Sequence, residues 1–368
     1  MAKRSGFGIG IVGCGMVADF HAQAITAMRG GYLAGVFSRR EDNARRLANR
    51  FGGKVYTDYK AFLADPALDI VVIATPSGAH LEPAVQAARA GKHVICEKPL
   101  EVTLERVDRM IRVCRENKVM LAGIFQRRFL EATQQFKKAL DAGRLGRISL
   151  ADAYIKWHRT QAYYDSGAWR GTWQLDGGGA LINQSIHTID LLYYLAGDVE
   201  WVCGFADRRS HERIEVEDNA VAILKFKSGA LGVIEGSTAC FSPSGNPAEV
   251  HMCGADGSIF MQDNSFTVWE FRRKRSADQH IREKFAPGDH PGAGAADPAA
   301  IDFVPHQRAF EDVVKALKKG IAPMVDGPEA RKSIEIILAI YQSALTGGRP
   351  VHLPLKKTPV RKPFRSKG

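Results

Sequence analysis

The first third of the chain alternates short, wholly apolar runs with longer segments of mixed polarity. A strand that is apolar throughout is buried on both faces, which is typical of a parallel sheet covered by helices. The pattern predicts strands over 8–12, 33–37, 69–74, 93–96 and 119–123, and helices over 17–28, 41–51, 79–90 and 104–117. Residues 1–125 are therefore predicted to form an α/β domain around a doubly wound parallel sheet.

From about residue 145 the pattern changes to strands that follow one another with only turn residues between them, which indicates antiparallel hairpins. The predicted strands are 148–157, 199–207, 219–226, 231–238, 249–253, 258–261 and 266–271. Helices are predicted over 181–195, 302–319 and 328–345, and a Gly/Pro/Ala-rich loop over 286–300. Residues 126–355 are predicted to form an α+β domain with a large, open, mainly antiparallel sheet, followed by a basic tail over 356–368.

The charge of the chain is concentrated at its ends. The sequence has 51 Lys and Arg against 40 Asp and Glu, a net charge of +11. Six cations lie in the last 13 residues, and Lys3 and Arg4 add two more, so the net charge is only +3 without them. We therefore expect a solvated basic tail and no nucleic-acid partner. No apolar run approaches the roughly 20 residues that a membrane helix needs, so no membrane partner is expected.

The six cysteines are scattered, with no Cys-x-x-Cys pair and no histidine at a zinc-binding spacing. Most lie in apolar runs, where a free cysteine is a small buried hydrophobe, so no metal is expected. Lys3 and Arg4 precede an apolar stretch, but five glycines between Gly6 and Gly15 break it before a secretion signal is complete. A cytoplasmic location is the expectation.

A glycine pattern, Gly13-x-Gly15-x-x-Ala18, follows the first predicted strand and opens the first predicted helix. Gly13 permits a tight turn, Gly15 lets the backbone approach a pyrophosphate, and Ala18 allows close packing of the helix. The helix start, with Met16 and Val17, adds amide donors and the positive end of the helix dipole. In a strand–turn–helix that opens a βαβ array, the pattern predicts a dinucleotide site, with a purely structural turn as the alternative.

The end of the second predicted strand indicates which dinucleotide is bound. An acid there would bind the ribose 2′-hydroxyl, whereas arginines accommodate a 2′-phosphate. The chain has Ser38, Arg39 and Arg40, and no acid before Glu41. This favours NADP(H) over NAD(H); the alternative is that Arg39 only stacks on the adenine.

Lys98 lies just after the predicted strand 93–96, at the edge where parallel sheets bind ligands. A partly desolvated amine beside a nicotinamide would hydrogen-bond and protonate a substrate oxygen. Pro99 disfavours helical geometry at Lys98. The alternative is an exposed ion pair between Lys98 and Glu97.

A run of three glycines over 177–179 leads into the predicted helix 181–195. Asn183 and His187 are four residues apart and His187 and Asp190 three apart, so all three share one face of the helix. Histidine is the side chain best suited to exchange protons near neutral pH, which makes His187 a candidate acid/base. Asp190 would either hold the His187 tautomer or anchor the helix, and a purely structural histidine is the alternative.

Aromatic and basic residues of the second domain suggest a substrate with an apolar ring face. The aromatic residues before the glycine run are Tyr163, Tyr164, Trp169 and Trp173. Their rings suit a sugar as well as a core, and we predict that Tyr163 and Trp173 bind substrate together with Asn183 and Arg127. The basic residues Arg127, Arg128, His158, Arg159 and Arg170 would admit a phosphorylated or carboxylated sugar, or would form a solvated rim.

Together these motifs resemble those of the Gfo/Idh/MocA family, which is named after glucose–fructose oxidoreductase and inositol dehydrogenase. The resemblance spans residues 7–353 and is carried by Gly13-x-Gly15-x-x-Ala18, Thr75-Pro76 with His80, Glu97-Lys98-Pro99, Trp169-Arg170, and the glycine run with His187 and Asp190. It implies a Rossmann domain followed by an open antiparallel sheet. It also implies hydride transfer between NAD(P)(H) and a CH–OH carbon of a sugar, polyol or sugar derivative, in a homodimer or homotetramer formed through the outer sheet face.

The resemblance also implies roles for single residues. Lys98 matches the catalytic lysine and His187 the acid/base. The positions that match residues lining the cofactor are Thr75, Pro76, His80, Glu97, Lys98, Gln126, Trp169 and Arg170. Many members have an aspartate four residues before the histidine, whereas this chain has Asn183, whose amide can position a hydroxyl but cannot accept its proton.

Two other functions stay open at this point. A redox-neutral lyase or glycosidase on the same fold would return the hydride to the substrate, so that its cofactor never leaves. A non-catalytic dinucleotide-binding sensor would be expected to lack Lys98 or His187, and both are present. The fold alone does not separate these functions.

Overall fold

The computed structural model describes residues 6–243, 245–288 and 302–364. Most of the loop predicted over 286–300, and residues 365–368 of the predicted tail, lie outside the described residues. The described residues form two compact units. The first contains the residues up to Gln126 together with Asp302–Arg331, and the second contains the residues from Arg127 to 288 and from Lys332 onward.

Six parallel strands, counted over the described residues, form the sheet of the first unit. They are β1 (Phe7–Val12), β2 (Gly31–Phe37), β3 (Lys54–Tyr56), β4 (Ile70–Ile73), β5 (His93–Cys96) and β6 (Leu121–Gly123), in the order β3-β2-β1-β4-β5-β6. All four residues of the central strand β4 are buried, as its uninterrupted apolar sequence predicts. The prediction of a doubly wound α/β domain is confirmed.

Eight strands of the described part of the chain form the sheet of the second unit. They are β7 (Ile148–Lys156), β8 (Val199–Asp207), β9 (Asn219–Phe226), β10 (Leu231–Ser237), β11 (Ala248–Gly254), β12 (Gly257–Gln262), β13 (Ser265–Phe271) and β14 (Val351–His352), in the order β13-β12-β11-β7-β10-β9-β8-β14. Neighbouring strands are antiparallel except for β10 and β7, which are parallel. Along β9, buried residues alternate with exposed ones, so the sheet has one buried and one open face. The predicted α+β domain with an open sheet is confirmed.

The α-helices of the described residues are α1 (Met16–Ala27), α2 (Glu41–Phe51), α3 (Tyr59–Leu63), α4 (Leu81–Arg89), α5 (Leu104–Glu116), α6 (Glu131–Asp141), α7 (Gln161–Asp165), α8 (Ile186–Ala196), α9 (Ala277–Lys284), α10 (Val304–Lys319) and α11 (Gly327–Leu345). The sequence analysis missed β3, α3, α6, α7, α9 and β14. Most of these are only two to eight residues long, too short for a periodic pattern to stand out. None of the helices combines the length and the apolar character needed to cross a bilayer.

Helix α10 groups with the first unit, although the sequence analysis had placed residues 302–319 in the second domain. Phe310, Val313 and Val314 on α10 are buried in the same apolar core as Ile9 and Ile25 of the Rossmann sheet and α1. This grouping rests on contacts between residues far apart in the chain, which a boundary drawn from sequence pattern does not detect.

The expected solvated basic tail is found only in part: Lys356, Lys357 and Lys362 are exposed, whereas Arg361 bonds to the rest of the chain. The Arg361 Nη1 atom donates hydrogen bonds to the carbonyl oxygens of Trp173, at 3.2 Å, and Gly177, at 3.1 Å. The Phe364 amide donates to the Glu215 carbonyl at 2.9 Å. Hydrogen bonds to backbone carbonyl oxygens at and near the glycine run therefore hold this part of the tail in place.

Candidate active site

The turn between β1 and α1 has the two glycines in different roles. Gly13 has a φ of +94°, and a Cβ there would lie 2.6 Å from the carbonyl oxygen of Ala74, so the fold itself requires glycine. Gly15 precedes α1 in an extended conformation, and a Cβ there would meet nothing within 4 Å. No side chain of the described residues caps the first amides of α1, beside the exposed Met16. The turn thus leaves space and amide donors where a pyrophosphate fits.

The predicted ribose-binding end of β2 carries exposed positive charge. Arg39 and Arg40 are both exposed, and the Arg40 amide donates to the Ser38 hydroxyl at 3.1 Å. The first acid of the segment, Glu41, accepts a hydrogen bond from Arg45 at 2.8 Å. The end of β2 therefore presents two exposed arginine side chains.

His80 joins the loops that follow β4 and β5. This residue is 1% exposed, with Nε2 at 2.8 Å from the Thr75 carbonyl oxygen and Nδ1 at 2.9 Å from that of Pro99. Pro76 begins a short 3₁₀ turn between these residues. His80, Thr75 and Pro76 therefore shape the carboxyl edge of the sheet next to Lys98.

Glu97 is buried rather than exposed in an ion pair with Lys98, so that alternative is wrong. One Glu97 oxygen lies 2.8 Å from Nε2 of His21, and the other accepts the Lys98 amide at 3.0 Å. Burial opposes the negative charge, but the hydrogen bond and charge of His21, with the charges of Lys98 and His306, lower the pKa of Glu97 to about 2. Lys98 itself is partly buried. A fixed carboxylate thus orients the backbone at the candidate catalytic lysine.

His21, Glu97 and His306 also form the group of three ligand-type side chains found among the described residues. One ligand atom from each lies within 4.8 Å of the others, and all three residues are buried. Burial and the charge of His21 lower the pKa of His306 to about 4, so its ring is neutral at pH 7. Two histidines and a glutamate are zinc ligands in other proteins, although here His21 and Glu97 already form a buried hydrogen bond with each other beside a neutral ring.

Gln126 offers a polar group without a partner. Its Oε1 atom is buried and accepts no hydrogen bond from the described residues. A buried acceptor left unpaired is destabilising, and an amide donor such as the nicotinamide carboxamide would satisfy it. Together with the open space at Gly15, this atom shows that the residues present fit a nicotinamide dinucleotide.

In the second unit, the predicted helix 181–195 begins as a π-helical turn over Ala180–Ser185 and continues as α8. Between residues 180 and 192, a fully described stretch, Asn183 and His187 are the two residues that keep partial exposure. Such π turns within helices are frequent at functional sites. The two candidate residues of this helix are therefore presented together, as their spacing predicts.

Asn183 belongs to a polar network. Its Nδ2 atom donates to Asp176 at 2.6 Å, and its Oδ1 atom accepts from Gln184 at 3.1 Å. Gln184 also donates to the Tyr163 hydroxyl at 2.9 Å. Sequence reasoning gave Asp176 and Gln184 no role, although Asp176 stands directly before the glycine run.

Two arginines surround this network. Arg159, which is 6% exposed, donates to the Gln184 side-chain oxygen at 2.9 Å. Arg170 donates to the Tyr163 hydroxyl at 2.6 Å, and its guanidinium lies 4.2 Å from the Tyr163 ring centre and 4.5 Å from that of Trp169. The structure thus brings Tyr163, Asn183 and two cations into one cluster.

Two other arginines are already paired. Arg128 and Asp190 are buried and share two hydrogen bonds of 2.7 Å, and Ser333 donates to Asp190 at 2.8 Å. These bonds favour the anchoring role for Asp190, and they remove Arg128 from any cationic cleft. Arg127, a predicted substrate residue, donates to Asp263 at 3.2 Å.

Trp173 is held by its own chain. Its ring centre lies 5.3 Å from that of Tyr341, edge-on, and 5.9 Å from that of Phe364. The Arg361 guanidinium lies 5.6 Å from the Trp173 ring centre. These contacts favour a packing role over a sugar-binding platform.

The two parts of the chain match two parts of one protein family. Residues 7–125 match an oxidoreductase family with an NAD-binding Rossmann fold, and residues 133–260 match the GFO/IDH/MocA C-terminal domain. The myo-inositol 2-dehydrogenase of Thermotoga maritima is 32% identical over 270 residues, covering 68% of this chain and 74% of that protein. The chain belongs to the Gfo/Idh/MocA family.

Other Gfo/Idh/MocA proteins match over nearly the whole chain. The scyllo-inositol 2-dehydrogenase (NAD(+)) of Bacillus subtilis is 27% identical over 94% of this chain and 96% of its own length. The crystal structure of the WlbA dehydrogenase from Bordetella pertussis, in complex with NADH and UDP-GlcNAcA, is 31% identical with a TM-score of 0.86, covering 97% of this chain and 100% of that one. This chain is accordingly a nicotinamide-dependent oxidoreductase acting on CH–OH groups of sugars, polyols or their derivatives.

Proposed function

We propose that this Gfo/Idh/MocA dehydrogenase acts on a sugar derivative that carries a negative charge, and that Lys98 and His187 handle the proton of its reacting hydroxyl. When bound, the nicotinamide exchanges the hydride with the CH–OH carbon. His187 or Lys98 takes the hydroxyl proton and the other orients the oxygen. The observation that carries this proposal is the partial exposure of Asn183 and His187 on an otherwise buried helix segment.

Asn183 is proposed to position a substrate hydroxyl. Because its Nδ2 atom donates to the Asp176 carboxylate, the orientation of the amide is fixed, and a negative charge lies one hydrogen bond behind it. Tyr163, bonded to both Gln184 and Arg170, is proposed to contact the sugar alongside Asn183. Preorganised polar groups of this kind position a substrate without reorganising during the reaction.

The negative charge of the substrate is inferred from Arg159 and Arg170, which adjoin Asn183 and Tyr163. An arginine that is largely desolvated favours a carboxylate or phosphate partner, since its planar guanidinium binds either one in a bidentate manner. The WlbA dehydrogenase that resembles this chain was solved with UDP-GlcNAcA, a sugar acid on a nucleoside diphosphate. A carboxylated or phosphorylated sugar is therefore the proposed substrate class.

The cofactor is proposed to be NADP(H) in preference to NAD(H), bound by the first domain. Gly13, Gly15, Met16 and Val17 would hold the pyrophosphate, and Ser38, Arg39 and Arg40 the adenosine ribose with its 2′-phosphate. The remaining positions proposed to line the cofactor are Thr75, Pro76, His80, Glu97, Lys98, Gln126, Trp169 and Arg170. The exposed arginines at the end of β2 support the NADP(H) preference.

The second domain is proposed to bind substrate and to form a homo-oligomer through the open face of its sheet. The outer patch consists of exposed apolar residues on four adjacent strands: Leu150, Phe205, Val221, Ile223 and Leu231. Val221 lies opposite Phe205, and Leu231 opposite Leu150, so these side chains are contiguous. Apolar patches of this kind on a protein surface mark association sites.

A cytoplasmic location is proposed from the state of the cysteines. All six cysteines lie in the described residues and all are free thiols, three of them buried. Unpaired cysteines are typical of proteins in reducing compartments.

The test is a substrate screen with two active-site variants. The protein is incubated with NAD⁺ or NADP⁺ and with neutral and anionic compounds, including myo-inositol, levoglucosan, glucose 6-phosphate and UDP-GlcNAcA, and reduced nicotinamide is followed by absorbance. We expect turnover of an anionic compound and a lower KM for NADP⁺. Lys98→Ala and His187→Ala are each expected to lose about 10²- to 10⁴-fold in turnover while binding cofactor normally.

The matched controls are Lys138→Ala and His280→Ala, which remove the same side-chain types from exposed positions of the second unit. Both should keep the activity of the unmodified protein. Near-full activity of both active-site variants would refute the roles of Lys98 and His187. Turnover of neutral polyols only would refute the anionic class, and substrate loss without net reduced nicotinamide would favour the redox-neutral lyase or glycosidase.

A further inference from the structure

One buried carboxylate outside the predicted site holds the start of the π turn that carries Asn183. Glu217 is completely buried, two residues before β9. Its side-chain oxygens accept the amide of Gly179 at 3.0 Å and that of Leu181 at 2.8 Å. Its carbonyl oxygen accepts the amide of Ala180 at 3.1 Å. Three consecutive backbone amides at the start of the turn therefore donate hydrogen bonds to one residue.

The close approach of Glu217 explains two residues of the glycine run. A Cβ at Gly179 would lie 1.8 Å from the carbonyl oxygen of Glu217. A Cβ at Gly178 would lie 2.3 Å from the hydroxyl of Tyr341. The glycines are thus needed so that Glu217 and Tyr341 can pack directly against the backbone. They do not simply make the segment flexible.

The chemistry of the contact requires an ionised carboxylate. Gly179 and Leu181 each direct an N–H at a different oxygen of Glu217. A carboxylate accepts on both oxygens, whereas a glutamine presents a donor NH₂ on one side and loses one of the two hydrogen bonds, and a protonated acid keeps only a weaker acceptor on its hydroxyl oxygen. Burial, however, favours the neutral acid. It raises the pKa of Glu217 to about 7, although the hydrogen bonds from the backbone amides and from Tyr341 stabilise the anion and oppose this rise.

We propose that Glu217 is a positioning residue, whose ionised carboxylate holds the π turn so that Asn183 and His187 are correctly placed, and whose protonation releases one amide of that turn. The proposal rests on the proposed roles of Asn183 and His187. Glu217 acts through the backbone between Gly179 and Leu181 and does not contact the reacting atoms itself.

His211, which bonds to Asp218, titrates near neutral pH, because its hydrogen bonds to Asp218 and to the Arg159 carbonyl outweigh its burial and raise its pKa. The other groups around Glu217 keep one charge state through neutral pH. Tyr341 on α11 and Tyr164 on α7 stay neutral, because burial raises the pKa of each hydroxyl, with a contribution from the Glu217 charge. Arg361, which interacts electrostatically with Tyr341, is cationic as arginines are at neutral pH. Asp218, next in the chain, keeps its charge, because the bonds it accepts from His211 and backbone amides outweigh its burial and lower its pKa.

The test combines local hydrogen exchange with kinetics on the full chain. Deuterium uptake of peptides that cover residues 177–187 is measured by mass spectrometry at about pH 6 and about pH 8, corrected for intrinsic exchange. We expect protection of this turn to be about tenfold higher at the higher pH, the scale of one lost hydrogen bond. Glu217→Gln should show the low protection at both pH values, and Glu217→Asp, which keeps the carboxylate, should still respond to pH.

Kinetics on the substrate that gives turnover in the screen supply the second measurement. Glu217→Gln is expected to lower kcat about tenfold with an unchanged cofactor Kd, and to flatten the rise of kcat between about pH 6 and pH 8. Glu212→Gln, an exposed carboxylate on the same segment, is the control and should behave as the unmodified protein. Because hydrogen exchange needs no substrate, it still decides the role of Glu217 in the turn if the whole screen gives no turnover.

Three results would overturn the proposal. One is normal protection of the turn in Glu217→Gln at the higher pH. Another is a pH response of the turn that persists unchanged in that variant. The third is a loss of kcat in Glu217→Gln that is the same at every pH, since a purely structural defect would not depend on the charge of Glu217.

Discussion

At the scale of single residues, burial sets the protonation state of His306. This residue is 2% exposed, and its ring lies 5.6 Å from that of His21 and 6.3 Å from that of Phe20. Burial and the charge of His21 lower the pKa of His306 from 6.5 to about 4. Between these pH values the unfolded chain binds a proton that the folded chain does not, so the free energy of unfolding falls as the pH falls.

We expect this residue to destabilise the protein by up to about 3 kcal/mol as the pH drops from 6.5 towards 4. His306→Phe, which keeps a ring beside Phe20 and His21, should have a flatter pH dependence of the free energy of unfolding over this window. Urea unfolding followed by far-ultraviolet circular dichroism measures it, with His280→Phe at an exposed position as the control. An unchanged slope in His306→Phe would show that this histidine does not titrate as inferred.

At the scale of elements, the turn between β1 and α1 has one glycine that the fold requires and one that it does not. Gly13 has a positive φ and no room for a side chain, because the Ala74 carbonyl oxygen lies in the way. Gly15 has ordinary extended geometry and open space around its α-carbon. The sequence pattern assigns both glycines to cofactor binding, and only their surroundings distinguish the two requirements.

Gly13→Ala is expected to lower the free energy of unfolding by about 1–3 kcal/mol, because alanine is strained in that conformation. Gly15→Ala should leave the thermal midpoint of the cofactor-free protein unchanged and weaken cofactor binding about tenfold or more, since the methyl group occupies the space of the pyrophosphate. Differential scanning fluorimetry and fluorescence titration with NADPH and NADH measure the two effects. Normal cofactor affinity in Gly15→Ala would place the pyrophosphate elsewhere.

At the scale of the whole molecule, the open sheet face of the second domain leaves apolar side chains in water. In the outer patch, Phe205 is 64% exposed and Val221 53%. Apolar contacts stabilise an assembly in proportion to the area removed from water, about 25 cal/mol per Å². A second copy of this chain would present the same patch, as a two-fold interface requires.

Val221→Asp at the centre of the outer patch is expected to shift the protein from oligomer to monomer, because the interface would bury an unpaired charge. Size-exclusion chromatography with light scattering gives the mass. Thr267→Asp, an exposed position on the edge strand β13, adds the same charge outside the patch and should leave the mass unchanged. A monomeric unmodified protein would refute the proposed oligomer.

Local patterns were sufficient to predict most elements and the placement of two candidate site residues on one partly exposed helix face. Strands β5, β8 and β9 have the predicted bounds, because a wholly apolar run and a regular alternation are both visible within a few residues. Asn183 and His187 were found by their spacing next to the glycine run. The π turn between Ala180 and Ser185 was not foreseen, since it depends on hydrogen bonds between its first backbone amides and Glu217, which lies outside the segment.

The sequence by itself determined the order and type of most strands and helices, the glycine turn after β1 and the family, because each depends on neighbouring residues. Only the tertiary structure decided the partners. Arg128 binds Asp190 across 62 residues of chain, Glu217 holds Leu181 across 36, and Arg361 reaches the Gly177 carbonyl across 184. Such pairs leave no local sequence pattern. The hydrogen-bond partner of a buried polar group comes from a distant segment, and only the packing of the two segments brings the partners together.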